Sequence, residues 1–246
     1  MAPTRLPLLC LPYSGASATV YARWRRSLPD WVTVKPIELP GRGERSDEPL
    51  WTDPHGLAAF LAAEIAPTLS APYALFGHSL GALLAFELAH ALMERGVPAP
   101  LLLFASGTEA PAVRDDTASR QPRSDEALKA ELRDLQGTPE EVLADADLMR
   151  LTLPVLRADF LMCGHYAYRP RPPLPCRLHV LGGRQDRASR VALEAWGREG
   201  TSCTIDIFEG GHFFIHDQRA SVLQAIQSSL EREMQHAPAL AGLVPT

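Results

Sequence analysis

The chain has 246 residues, 46% hydrophobic, 22% charged and 7% aromatic, a globular composition too apolar for a disordered chain. Its net charge of −5 argues against general attraction to nucleic acid or to an anionic membrane, both of which favour a basic face. The longest apolar run, Leu57 to Ala63, falls far short of the roughly 20 residues of a membrane-crossing helix, and the N-terminal stretch broken at Pro12 lacks a secretory core, so we expect a cytoplasmic protein.

Along the chain, the first apolar run, Leu8–Leu11, reads as a buried strand and leads into Pro12-Tyr13-Ser14-Gly15-Ala16. A second strand is expected over Val32–Leu39. Asp53-Pro54 is an N-cap followed by proline at the first helical position, opening a helix to about Leu69. The strand Tyr73–Gly77 then runs into a helix marked by Leu80, Leu84, Leu88 and Leu92, with Gly96 at the C-cap. After the strand Leu101–Ala105, no strand pattern appears between about Glu109 and Pro175. A capping box, Thr138-Pro139-Glu140-Glu141, and helical patterning on either side mark this stretch as a helical insertion, closed by the stiff segment Arg169–Pro175. The strands Leu178–Leu181 and Thr204–Phe208 follow, and Val222, Leu223, Ile226 and Leu230 form the stripe of a last helix, with a frayed tail from His236 to Thr246. Such alternation predicts an α/β domain spanning residues 1–246, its mostly parallel sheet flanked by helices and interrupted by the insertion at about 109–175.

The four cysteines, Cys10, Cys163, Cys176 and Cys203, form no C-x-x-C pair and no cluster with the eight histidines, so we expect reduced thiols and no metal site. The chemistry lies in Gly77-His78-Ser79-Leu80-Gly81, a G-x-S-x-G between a strand and a helix. A serine nucleophile there must project from a tight turn, and a Cβ at residue 77 or 81 would strike backbone. The same turn aims the Leu80 amide and the positive helix end at an oxyanion. Serine needs a histidine base, and the base an acid to fix its tautomer. Asp186 and His212 sit in loops after the two late strands, where both are expected. Glu109 is a second candidate acid, while Asp159, Asp206 and Asp217 read as solvated or structurally paired. His216 is a second candidate base, and His78 reads as packing or hydrogen-bonding behind the elbow. The loop after the first strand offers the second oxyanion donor, the Ser14 amide ahead of Gly15.

With these pieces the chain resembles the α/β-hydrolase fold and, within it, the type II thioesterases that accompany polyketide synthases and nonribosomal peptide synthetases. The resemblance rests on Leu11–Gly15, Glu38-Leu39-Pro40-Gly41-Arg42-Gly43-Glu44-Arg45, the elbow through Ala82, Leu156-Arg157-Ala158-Asp159-Phe160 followed by Tyr166, and Gly210-Gly211-His212-Phe213. Where that family carries Ala-Gly-Gly, this chain has Ser14-Gly15-Ala16. The resemblance implies hydrolysis of acyl or aminoacyl thioesters on the phosphopantetheine arm of carrier proteins, which clears wrong or stalled units. It calls for no cofactor, since phosphopantetheine belongs to the substrate, and it makes the insertion a lid over an acyl chamber. We expect a monomer, with acidic carrier proteins docking at Arg23, Arg25 and Arg26 or at Arg184, Arg187 and Arg190. A carboxylesterase or lipase acting on small oxygen esters would use the same three residues, and a non-catalytic carrier-binding module is the remaining reading.

Overall fold

Leucine-rich strands, separated by loops bounded by proline and glycine, set the layout of the computed structural model, which describes residues 5–69 and 72–236. In chain order the elements are β1 (Leu6–Leu11), β2 (Val32–Pro36), α1 (Pro54–Ile65), β3 (Ala74–His78), α2 (Leu80–Glu94), β4 (Leu102–Ser106), α3 (Asp125–Asp134), α4 (Glu140–Ala144), α5 (Ala146–His165), β5 (Leu174–Gly183), α6 (Arg190–Glu194), β6 (Gly200–Phe208), α7 (Phe214–Asp217) and α8 (Arg219–His236). All six expected strands form. They pair in parallel in the order β2-β1-β3-β4-β5-β6.

The central strands β1, β3 and β4 are buried at every residue because helices cover both faces, whereas β2 and β6, at the edges, carry partly exposed positions. Successive side chains point to opposite faces. Leu9, Leu11, Leu75 and Leu103 pack toward α1 and α2, while Leu8, Cys10, Phe76 and Phe104 pack toward Tyr21 and Trp24 of a 3-10 helix (Ala18–Arg26) and toward α8. The predicted stripe of α8, Val222, Leu223, Ile226 and Leu230, is buried throughout.

Element ends differ from expectation where proline or side-chain pairing intervenes. β2 ends at Pro36, not at Leu39, and its last link to β1 is the Ile37 N–H donating to the Cys10 carbonyl at 2.9 Å. β5 starts at Leu174, inside the proline-rich stretch, by a register shift between Leu174 and Arg177 that leaves Pro175 exposed. Asp53 caps α1 by accepting the His55 N–H at 3.1 Å, and the helix tightens into a 3-10 turn at Ala66–Thr68. The capping box at Thr138–Glu141 does not form. Pro139 is the N-cap of α4 and makes no side-chain cap, and the Glu140 carboxylate reaches across to Arg133 at 2.6 Å.

Among the described residues, the stretch from Glu109 to Pro173 contains helices and no strand. Its helices α3, α4 and α5 bury Leu128, Leu132, Leu143, Met149, Leu153 and Leu156 in a small core of their own. Beyond His236 the tail lies outside the described residues. No helix among the described residues is long and apolar enough to cross a membrane.

Candidate active site

In a parallel sheet every strand ends at the same rim, and ligands collect where the strand order reverses. Here the reversal lies between β1 and β3, since β1 leads to β2 on one side and β3 leads to β4 on the other. The loop after β1 and the turn after β3 flank that point.

The turn after β3 is tight enough to exclude side chains. A Cβ on Gly77 would meet the Gly81 carbonyl, and one on Gly81 would meet the Leu11 carbonyl. Between them Ser79 is held at φ 55°, a region that non-glycine residues rarely adopt, and its N–H donates to the Ser106 carbonyl of β4 at 2.8 Å. Leu80 opens α2, so its N–H is among the first-turn donors that have no intrahelical acceptor. Across from it, Tyr13–Ala16 forms a turn closed by the Ala16 N–H donating to the Tyr13 carbonyl at 3.0 Å, with Gly15 at φ +77°. That is the type II pattern, in which only the third residue needs positive φ, so alanine serves at 16. The Gly15 N–H donates to Asp159 Oδ2 at 2.7 Å, which commits it elsewhere and leaves Ser14 as the loop's candidate oxyanion donor.

The loops after β5 and β6 are stitched together. Arg184 N–H donates to the Phe208 carbonyl and Gln185 N–H to that of Gly210, while the Gln185 side chain accepts the Gly210 N–H at 2.6 Å. A Cβ on Gly183 would strike the Gly210 and Gly211 carbonyls. This contact brings Asp186 to His212: Nδ1–H of the imidazole faces both carboxylate oxygens at 3.1 Å. The pairing fixes the tautomer and leaves Nε2 as the acceptor. Ser79, Asp186 and His212 line one cavity of about 190 Å³ together with Ser14, Leu156 and Phe160. The Ser79 hydroxyl makes no hydrogen bond to His212 in this structure, a looseness common in hydrolase sites outside the reacting complex.

The rival residues are occupied otherwise. Glu109 lines the same cavity, but His212 Nδ1 is engaged by Asp186. His216 Nε2 meets the Tyr13 hydroxyl at 3.0 Å. His78 is fully buried behind the elbow, its Nδ1 2.9 Å from Ser106 Oγ and its ring 4.9 Å from that of His212. Asp206 pairs with His179 Nε2 at 2.9 Å, and His179 Nδ1 is 2.8 Å from Ser229 Oγ. This second Ser-His-Asp chain lacks an elbow: Ser229 sits within α8, where helix bonding consumes the amides that could hold an oxyanion. Asp217 closes α7. The sequence reading includes structural pairing of Asp159 but does not name its partner, Arg42. The one signal of this pairing is a carboxylate on the face of α5 that also carries Leu156, Phe160 and Cys163.

Of the two arginine clusters, Arg184 pairs with Glu209, Arg187 with Glu131 and Asp134, and Arg190 with Glu194, whereas exposed Arg23, Arg25 and Arg26 form no ion pair among the described residues. The four cysteines are free thiols, and no His/Cys/Asp/Glu group among the described residues could hold a metal ion.

Burial keeps several histidines neutral. It drives His78 well below the usual imidazole value, lowers His179 and His216, and takes His90 down to about 4. Burial pushes the Glu87 carboxyl up, but hydrogen bonds from His55 and Arg171 outweigh it and hold the group at about 2. A histidine whose folded pKa lies below 6.5 contributes stability that is present above pH 6.5 and lost as pH falls toward its folded value. The Glu87 contribution is lost lower, as pH falls from 4.5 toward 2. Thermal unfolding followed from pH 7.5 to 4 should therefore show Tm falling steeply below pH 6.5. His90→Gln should reduce the stability lost between pH 7.5 and 4 by roughly 1–3 kcal/mol. An unchanged slope would remove His90 as a contributor.

A parallel sheet with a serine elbow after β3 and acid and histidine loops after β5 and β6 has the α/β-hydrolase fold. Within it the chain belongs to the thioesterase family: the family model described as Thioesterase domain matches residues 6–230. Gramicidin S biosynthesis protein GrsT of Aneurinibacillus migulanus is 37% identical over 89% of this chain and 87% of that protein. Among solved structures, the thioesterase RedJ of the prodiginine pathway of Streptomyces coelicolor superposes with a TM-score of 0.86 at 38% identity, covering 91% of this chain and 89% of that one. The type II thioesterase BorB of the borrelidin biosynthetic cluster gives 0.85 at 38% identity, covering 92% and 93%.

Proposed function

We propose that this chain is an editing, type II thioesterase. It hydrolyses acyl or aminoacyl groups held as thioesters on the phosphopantetheine arm of carrier proteins in polyketide or nonribosomal peptide synthesis. His212 Nε2 takes the Ser79 hydroxyl proton as Oγ attacks the thioester carbonyl carbon, with the Leu80 and Ser14 amides holding the oxyanion. The tetrahedral adduct collapses, the C–S bond breaks, and His212 returns the proton to the departing thiolate. Water then gives a proton to His212 while its oxygen attacks the acyl-serine, and Ser79 leaves with that proton as the acid is released. Asp186 stays ionised and steadies the imidazolium throughout.

The observation that carries this reading is the shared cavity: a serine on a strained elbow, an acid-paired imidazole and a second amide loop face one space. Leu132, Leu135, Leu156 and Phe160 give this cavity of about 190 Å³ an apolar wall suited to an acyl group. The thioesterase names of RedJ and BorB support the substrate class, and the exposed Arg23, Arg25 and Arg26, which form no ion pair among the described residues, offer an acidic carrier a docking face. The helical insertion acts as the lid over this chamber. The test is turnover of carrier-bound acetyl, propionyl, aminoacyl and long-chain thioesters beside ethyl esters of the same acids. We expect the carrier thioesters to be hydrolysed faster than the matching oxygen esters. A strong preference for the oxygen esters would make the protein a carboxylesterase, and no turnover of either would leave a carrier-binding module.

A further inference from the structure

Asp159 is fully buried on α5, and Arg42, in the loop after β2, is 5% exposed. They meet through two bonds, Arg42 Nη1 to Asp159 Oδ2 at 2.6 Å and Nη2 to Oδ1 at 2.7 Å. A buried ion pair adds little net stability over apolar residues of equal volume, because desolvating both charges offsets their attraction. This pair does something more specific than hold α5 in place. Asp159 Oδ2 also accepts the Gly15 N–H at 2.7 Å, and Arg42 Nη1 donates to the Ala16 carbonyl at 3.4 Å. The two charges thus grip the two residues that follow Ser14. Leu156, one turn earlier on α5, approaches Gly15 so closely that an added Cβ would lie 3.0 Å from its Cδ1.

The Gly15 N–H bond to Asp159 anchors the Ser14–Gly15 peptide plane, and the Ala16 N–H bond to the Tyr13 carbonyl anchors the Tyr13–Ser14 plane that carries the Ser14 N–H, so the two bonds together hold the direction of that amide. We propose that the Arg42–Asp159 pair positions the oxyanion site, using one carboxylate to occupy the Gly15 amide and to aim the Ser14 amide at the cavity. The inference rests on the hydrolytic reading above. Neither side chain is required to touch the substrate, so both are positioning residues. Because Asp159 lies on α5, the pair also ties this helix of the insertion to the site.

Asp159→Asn keeps the shape, removes the charge and sets an amide against Arg42. Its kcat on a short acyl thioester should fall about 10²-fold, the loss seen when one oxyanion donor is removed. KM should change less than about twofold, because the ground-state carbonyl does not depend on the donor as the oxyanion does. Affinity for a boronic acid, which forms a tetrahedral adduct on a serine, should weaken in parallel with kcat. The double variant Arg42→Met, Asp159→Leu replaces the pair by apolar groups of similar volume; it should keep its Tm and show the same loss of kcat. Rates are taken per active site, counted by burst titration. Wild-type kcat or unchanged boronate affinity in either folded variant would overturn the proposal. Loss of folding in both would assign the pair to stability and overturn it as well. A wild-type enzyme inert toward thioesters would sink the functional reading itself, whereas an active wild type with unimpaired variants sinks only this inference.

Discussion

Ser79→Ala should lower kcat on a carrier-bound acyl thioester by about a millionfold and leave Tm unchanged within about 2 °C, since it removes one oxygen from a cavity wall. His212→Ala should cost about as much, and the double variant no more than either alone, because a nucleophile without its base and a base without its nucleophile are equally idle. Asp186→Asn should cost about 10⁴-fold: an amide at this position can stabilise the wrong imidazole tautomer, turning Nδ1 into the acceptor and leaving Nε2 protonated toward Ser79. The measurement is single-turnover hydrolysis together with labelling by a fluorophosphonate, which should modify wild type at Ser79 and leave Ser229 untouched. Ser79→Ala with more than one hundredth of wild-type turnover would show that the nucleophile lies elsewhere.

Gly77→Ala should be the most damaging single-methyl change in the chain. The new Cβ would be driven into the Gly81 carbonyl and the Ala82 amide nitrogen, backbone atoms of α2 that cannot rotate away as a side chain would. A loss of about 4 kcal/mol or more is expected, lowering Tm by about 8–16 °C at roughly 2–4 °C per kcal/mol for a domain of this size. Gly96→Ala is the control. Gly96 has φ +81° and open space around it, so the cost there is backbone strain alone, about 1–2 kcal/mol. Equal melting losses in the two variants would mean that crowding at the elbow is not what requires glycine at 77.

The candidate site is legible in the sequence to an unusual degree because parallel sheets obey a positional rule. Once Tyr73–Gly77 and the two late apolar runs are recognised as strands, the residues just past their ends must share a rim, and Ser79, Asp186 and His212 are those residues. Glycines mark the same places, since loops that cross at backbone distance exclude Cβ atoms; Gly77, Gly81 and Gly183 each face a carbonyl there. His78 was readable for a simpler reason, because neighbours in a strand point to opposite faces. A local signal failed at the start of α4. Thr138 and Glu141 have the spacing of a capping box, yet Pro139 takes the N-cap position and the helix starts a residue later, so the Thr138 side chain caps nothing.

The order of apolar runs and breakers in this chain determined the six strands, their flanking helices and which loops carry the serine, acid and histidine, because hydrophobic period and turn chemistry are local properties that packing then follows. The sequence favoured the Ser14 amide over that of Gly15, but only the tertiary structure decided which group occupies the Gly15 N–H. Arg42 and Asp159 lie 117 positions apart, and no local pattern ties a buried carboxylate on α5 to the N–H of Gly15. A buried charge takes its meaning from the partner that neutralises it, and that partner is chosen by the folded arrangement of the sheet and the insertion.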